Sequence, residues 1–185
     1  MMGGKLIYSM KGQKVVPLVS VRALAEAMPM SAPEHLVALA EVGRELTAGV
    51  AIGDGIERAL EVLDRRLGAR RSALYTADPE RRSLELSAAY GVTVEQFQPR
   101  YGLGVAGRVA ESGRPIVVPT VHREPMALAE LTNPVDWTES RWSLVSAPVS
   151  MKGRRVGALS AYFEDDDGEP DFGGRLGVLE VVASL

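Results

Sequence analysis

The hydrophobic period of this chain changes from helical to strand-like near residue 70, and that change restricts what it can fold into. Between residues 34 and 67 apolar side chains recur at three- and four-residue steps; from residue 72 onward the dominant period is two. Leu36, Leu39, Gly43, Leu46 and Val50 make one stripe, opened by Ser31-Ala32-Pro33-Glu34, a capping box with proline in the first turn. A second helix begins at Asp54, with Glu57 three residues on. It turns Ile56, Ala59, Leu60, Leu63 and Leu67 inward and stops at Gly68. Both stripes have the width of core-facing surfaces.

The period-two segments come in pairs. Residues 72–77 and 83–90 are strands joined by Asp78-Pro79-Glu80-Arg81, and residues 142–149 and 154–163 form a hairpin around Met151-Lys152-Gly153. Between them, Thr93-Val94-Glu95-Gln96 caps a short helix and a second runs over 104–112 to Gly113. Pro115-Ile116-Val117-Val118-Pro119 is a short strand bounded by prolines. Residues 120–141 hold no sustained period, and so long an irregular stretch is uncommon unless it has a task. Phe172, Leu176, Leu179 and Val182 mark a last helix. Hairpin connectivity predicts an α+β fold with an antiparallel sheet and the outer helices on one face. Residues 1–30 read as an extension with an edge hairpin around Lys11-Gly12-Gln13, and residues 31–185 as one domain.

Composition removes several functions. Lys and Arg total 21 against 24 Asp and Glu, a net charge of −3, which predicts no direct nucleic-acid contact. There is no cysteine among the 185 residues, so thiolate metal sites and thiol catalysis cannot be built from this chain. The apolar run 15–21 is too short to span a bilayer and is broken by Pro17, which predicts a cytoplasmic protein without membrane contact. Gly102-Leu103-Gly104-Val105-Ala106-Gly107 matches G-x-G-x-x-G literally. It follows no buried parallel strand and has no acidic residue at the required distance, so it reads as a glycine-rich loop feeding a helix. The acidic run 164–169 misses EF-hand spacing, and His35 and His122 have no ligand or nucleophile at catalytic spacing. No catalytic residue and no metal site is predicted.

Tyr101-Gly102-Leu103-Gly104-Val105-Ala106-Gly107-Arg108-Val109-Ala110-Glu111-Ser112-Gly113-Arg114-Pro115 resembles the G-x-x-G-x-V helix and x-S-G-x-P turn of GAF domains. Ser146-Ala147-Pro148-Val149 with Gly153 and Val156-Gly157-Ala158-Leu159 is similar to the family's final hairpin. The resemblance runs from about residue 34 to the end. It implies a six-stranded antiparallel sheet with the terminal helices on one face and a ligand pocket on the other. Pro119, Val121, Glu124, Pro125 and Leu128, with residues 142–149, resemble the sensory GAF domains of Nif-type, sigma-54-dependent transcriptional activators of nitrogen fixation. That likeness implies a small-molecule sensor acting on an AAA+ ATPase and helix-turn-helix domain in cis. The family's thioether-linked bilins, thiolate-bound iron and thiol-based reductase chemistry require cysteine; the Asn-Lys-x-Phe signature of its cyclic-nucleotide sites is not reproduced at Asn133-Pro134.

Strand alternation puts Ser146, Ser160 and Tyr162 opposite to Val145, Ala147, Leu159 and Phe163; the first set is assigned to the pocket and the second to the helices. Met126, Trp137 and Trp142 are candidate apolar walls. Arg108 or Arg141 would meet a ligand carboxylate bidentately, 2-oxoglutarate being the favoured anionic metabolite. The competing reading is a ligand-free dimerisation or interaction module, as in a histidine kinase or diguanylate cyclase. In it Leu36, Leu39, Gly43 and Leu46 join Leu176, Leu179 and Val182 in the helical seam of a homodimer, and an inhibitory regulator protein binds the sheet face.

Overall fold

Tight turns make β-hairpins of the two long pairs of period-two segments, and the sheet that joins them is antiparallel throughout. The computed structural model describes residues 32–48, 52–92, 97, 99–131, 141–165 and 170–185. The elements are α1 (Ala32–Thr47), α2 (Ile52–Leu67), β1 (Arg71–Asp78), β2 (Ser83–Tyr90), α3 (Gly104–Ser112), β3 (Ile116–Val118), a 3-10 turn (Val121–Arg123), the single-turn α4 (Pro125–Leu128), β4 (Trp142–Met151), β5 (Arg154–Glu164) and α5 (Phe172–Val182). Strand order is β2-β1-β5-β4-β3. Residue patterning predicts these five strands; the sixth implied by the family resemblance is not present among the described residues, where Phe97 and Leu131 make only an isolated bridge. Ser31, the helix predicted at 93–96, the hairpin within 1–30, the acidic run at 166–169 and Trp137 lie outside the described residues.

Alternation along β4 and β5 divides the interior into two layers. Val145, Ala147, Leu159, Ala161 and Phe163 face α1, α2 and α5, where Val42, Leu60, Leu63, Leu176 and Leu179 meet them. Leu144, Ala158 and Tyr162 face the other way, under α3 and the loops beside it. This agrees with the predicted division of strand residues.

The proposed helical seam needs correction. Leu176 and Leu179 are 4% and 0% exposed inside the chain's own core, so neither is available to a second copy. Leu39, Leu46 and Val182 are half-buried against the same core, and Leu36 alone of the set is fully on the surface, beside a half-buried Gly43. An apolar stripe at helical spacing has the same appearance whether it faces a sheet or a partner helix, and here the sheet takes it.

Two charge clusters fix the helices. Glu41 of α1 accepts a fork from Arg66 of α2, whose Nε lies 3.0 Å from Oε2, and a further bond of 3.2 Å from Arg65. Arg175 of α5 lies 2.7 Å from Asp165 Oδ1, 3.3 Å from Ser143 Oγ and stacks 4.1 Å over the ring of Phe163. The Arg66 hydrogen bond, helped by Arg65, holds the Glu41 carboxyl down to about 2. A depressed acid stabilises the fold above its unfolded titration range, and that contribution disappears as pH falls through the folded value. Glu41→Gln is therefore expected to lower the urea midpoint at pH 7, with the difference from wild type shrinking as unfolding is repeated toward pH 2; an equal difference at both ends would show that the α1–α2 charge cluster is not its source.

Candidate functional site

Helix α3 begins inside the molecule, where its first N–H groups have no access to water and need another acceptor. Leu103 occupies the capping position and its side chain accepts nothing. The acceptor comes instead from a carboxylate far along the chain. Glu130 Oε2 receives the N–H of Val105 at 2.9 Å and of Ala106 at 3.0 Å. Two glycines of the literal G-x-G-x-x-G permit this. Gly104 has φ +68°, and a Cβ there would stand 2.7 Å from Glu130 Oε2. A Cβ on Gly107 would stand 2.0 Å from the carbonyl oxygen of Arg100, so the loop can fold back onto the helix only over a glycine. Leu103 N–H then bonds Arg100 O at 3.0 Å and Gly102 N–H bonds Gly107 O at 3.1 Å.

Glu130 is 3% exposed. Its other oxygen, Oε1, accepts the Tyr162 hydroxyl at 3.0 Å. Burial pushes the carboxyl up to about 7, against the opposing pull of the Ala106 N–H, the Tyr162 hydroxyl and the Val105 N–H. Tyr162 and Tyr75 are raised in turn, chiefly by burial and further by the Glu130 charge. The Tyr75 hydroxyl is buried without a hydrogen-bond partner. Phe97 packs between these rings, edge-on to Tyr75 at 6.2 Å and tilted over Tyr162 at 5.9 Å.

A cleft of about 540 Å³ opens beside this group, walled by Arg100, Leu103, Arg108, Glu124, Met126 and Glu130 among others. Glu124 is already engaged, its carboxylate accepting Met126 N–H at 3.2 Å to start α4 ahead of Pro125. Arg100 and Arg108 make no ion pair among the described residues. The cleft therefore offers two guanidinium groups, an apolar floor and one buried acid.

Of the sequence-predicted site residues, the structure brings Arg108 and Met126 into this cleft and connects Tyr162 to it through Glu130. Ser146 and Ser160 face the predicted side but bond each other at 2.9 Å, buried between β4 and β5. Trp142 is core, 5% exposed, with the Arg71 guanidinium 4.4 Å above its ring. Arg141 sits exposed ahead of β4, its carbonyl accepting Asp165 N–H at 2.8 Å, and does not line the cleft. Sequence reasoning missed Glu130, Tyr75 and Arg100. The signal for Glu130 is an acid inside the apolar run Ala127-Leu128-Ala129-Glu130-Leu131. No cluster of three acidic or histidine side chains able to hold a metal occurs among the described residues.

The glycine requirement yields a direct test. Gly104→Ala is expected to cost on the order of 2 kcal/mol, combining left-handed backbone strain with displacement of Glu130. Gly177→Ala, at a helical position with open space around the added methyl, serves as the control and is expected to be neutral or slightly stabilising. Urea unfolding of both variants measures the contrast; equal stabilities would remove the close approach of Glu130 to α3.

Comparison with known proteins agrees with this architecture. Residues 54–184 match the family model described as GAF domain. The chain is 31% identical over 155 residues to the Nif-specific regulatory proteins of Azospirillum lipoferum and Azospirillum brasilense, covering 82% of this chain and 25% of theirs. That of Azotobacter vinelandii is 28% identical, over 82% of this chain and 29% of its own. The chain thus spans about a quarter of the length of these curated relatives. Among solved structures, the A. aeolicus nlh2 GAF domain in an inactive state superposes with a TM-score of 0.71 at 21% identity, covering 82% of this chain and 91% of that one. The GAF domain of a phosphoenolpyruvate-protein phosphotransferase from Coxiella burnetii gives 0.63 at 18%, over 81% and 91%. A free methionine-R-sulfoxide reductase from Neisseria meningitidis, in complex with its substrate, gives 0.58 at 20%, over 83% and 92%. With the family model spanning most of the chain and the solved relatives sharing its sheet and helices, the chain belongs to the GAF domain family.

Proposed function

We propose that this chain is the regulatory input module of a Nif-type, sigma-54-dependent transcriptional activator in the cytoplasm, controlling an AAA+ ATPase and a helix-turn-helix domain in cis. The observation that carries this reading is the alignment over 82% of the chain to a quarter of the Nif-specific regulatory proteins, as befits one module of a longer regulator. The signal is a small anionic metabolite, 2-oxoglutarate being the favoured candidate, held in the cleft at the start of α3 by Arg100 and Arg108. Two exposed guanidinium groups without ion-pair partners among the described residues suit a dicarboxylate, since a fork-to-carboxylate contact is both charged and directional. A ligand there touches α3 and α4 at once. It shifts the module between states only to the extent that it binds them unequally. The role proposed is regulatory; with no cysteine, the chain has no thiol with which to carry out thiol-based chemistry. No helix among the described residues is long and apolar enough to cross a membrane.

A second reading draws on a different observation. The sheet face opposite the helices is filled by Tyr75, Phe97, Trp142 and Tyr162, not hollowed, which favours an interaction module that needs no ligand. Its surface would include Leu36, Val37, Val181 and Leu185, all exposed, facing a second copy or an inhibitory regulator.

Isothermal titration separates the two. The sensing reading expects saturable heat with 2-oxoglutarate, weakened roughly tenfold or more in Arg108→Ala, as suits the loss of one charge-assisted hydrogen-bonding group. No heat with 2-oxoglutarate or other small dicarboxylates, together with a dimer by light scattering, would favour the interaction module.

A further inference from the structure

The cleft contains a group that the sensing reading leaves idle. Glu130 forms its inner wall, with one carboxylate oxygen already occupying the N-terminal amides of α3. An anion drawn in by Arg100 and Arg108 would share that wall with a second negative charge, carried by a carboxylate that is itself buried and poorly screened. Two carboxylates sharing a site do not both stay ionised, and the cheaper solution is for one to accept a proton. We propose that the cleft binds its anion together with one proton, which Glu130 takes up, so that occupancy reports the anion and the pH jointly. This rests on the sensing reading and adds the proton to it.

The groups facing Glu130 are arranged for such a change. From α3 it meets only neutral amides, Val105 and Ala106, whose bonds to Oε2 survive protonation of Oε1. From β5 it meets the Tyr162 hydroxyl, which can reverse its bond and accept. From β1, Tyr75 stands near enough to respond to the Glu130 charge, and its hydroxyl has no partner to surrender. Arg100 from the preceding loop, Arg108 on α3 and Glu124 before α4 complete the charged lining. No arginine or lysine bonds Glu130 directly among the described residues, so nothing holds it ionised except the helix end and one phenol. Its carboxyl titrates near 7 through burial, which makes the neutral form accessible at ordinary pH without a ligand. The exchange is balanced: one proton leaves solvent or buffer and one O–H bond forms on Glu130.

The test uses the whole 185-residue chain and 2-oxoglutarate, succinate and inorganic phosphate as probes, titrated calorimetrically at pH 6, 7 and 8 in two buffers of different ionisation heat. The expected result is a dissociation constant for 2-oxoglutarate or succinate about tenfold weaker at pH 8 than at pH 6, because only the protonated fraction is competent. Up to one proton is taken up per anion bound. Glu130→Gln, which keeps the acceptor oxygen and supplies a permanent neutral donor, is expected to bind with the pH 6 affinity at every pH. It also separates Glu130 from every other proton-binding side chain, since the substitution leaves those in place and removes only the Glu130 carboxyl. If Glu130→Gln fails to fold, the carboxyl carbon resonance of Glu130 in the unaltered chain gives the same answer: its midpoint rises when 2-oxoglutarate is added. Equal affinity at pH 6 and pH 8 with no proton uptake, or an unmoved midpoint, overturns the proton linkage and leaves the sensing reading standing. Absence of binding by all three anions at pH 6 overturns both.

Discussion

The buried start of helix α3 sets the conditions for everything around it. A helix end enclosed in protein needs acceptors for its first amides, and the residue in the capping position, Leu103, supplies none. Glu130 meets the need from 25 residues away, which is possible only if residue 104 has no side chain and accepts a left-handed backbone. Residue 107 must in turn be glycine for the loop carrying Arg100 to fold against the helix. The contact thereby fixes α3, the preceding loop and the segment through α4 relative to one another, and the cleft lies where they meet.

This arrangement has an energetic consequence of definite sign. Moving a carboxylate into an apolar layer costs several kcal/mol, and two amide bonds with one phenol offset only part of it. The remainder appears as the raised titration of Glu130, to about 7. Because the folded chain holds this proton longer than the unfolded chain does, this group's contribution to stability falls as pH rises from the ordinary glutamate range toward 7, then levels. Glu41 behaves oppositely, since its arginine partners favour the charged form. One domain thus carries two acids of opposite dependence: Glu41 between two helices where charge is welcome, and Glu130 within a layer where it is not.

The fold was largely legible in the sequence because its signals are local. Periods of 3.6 and 2 mark the two long helices and five strands, and the parity of Ser146, Ser160 and Tyr162 against Val145 and Leu159 assigns the sheet faces correctly. The candidate site was less legible. Arg108 and Met126 are found in the cleft, but Ser146 and Ser160 are consumed by each other across β4 and β5, a pairing that depends on register. Glu130 meets its partners over 24 to 32 residues, and no periodicity in 120–141 announces it. Leu176 and Leu179 show the converse limit, since a stripe gives its own direction but not the identity of what lies opposite.

The literal G-x-G-x-x-G can now be understood physically. In a nucleotide-binding fold such glycines clear the way for a pyrophosphate to approach the amides of a helix N-terminus. Here they clear the same way, and the anion that arrives is the chain's own Glu130 carboxylate. The motif matches because the steric problem is the same: a negative group must come close to backbone N–H groups with no Cβ between them. An internal carboxylate differs from a bound phosphate in one respect that matters for regulation. It can be neutralised by a proton without leaving, and in the proposed linkage its neutral form would no longer repel an anion drawn to Arg100 and Arg108. A helix end occupied from within can therefore remain capped while the cleft beside it changes from repelling an anion to tolerating one.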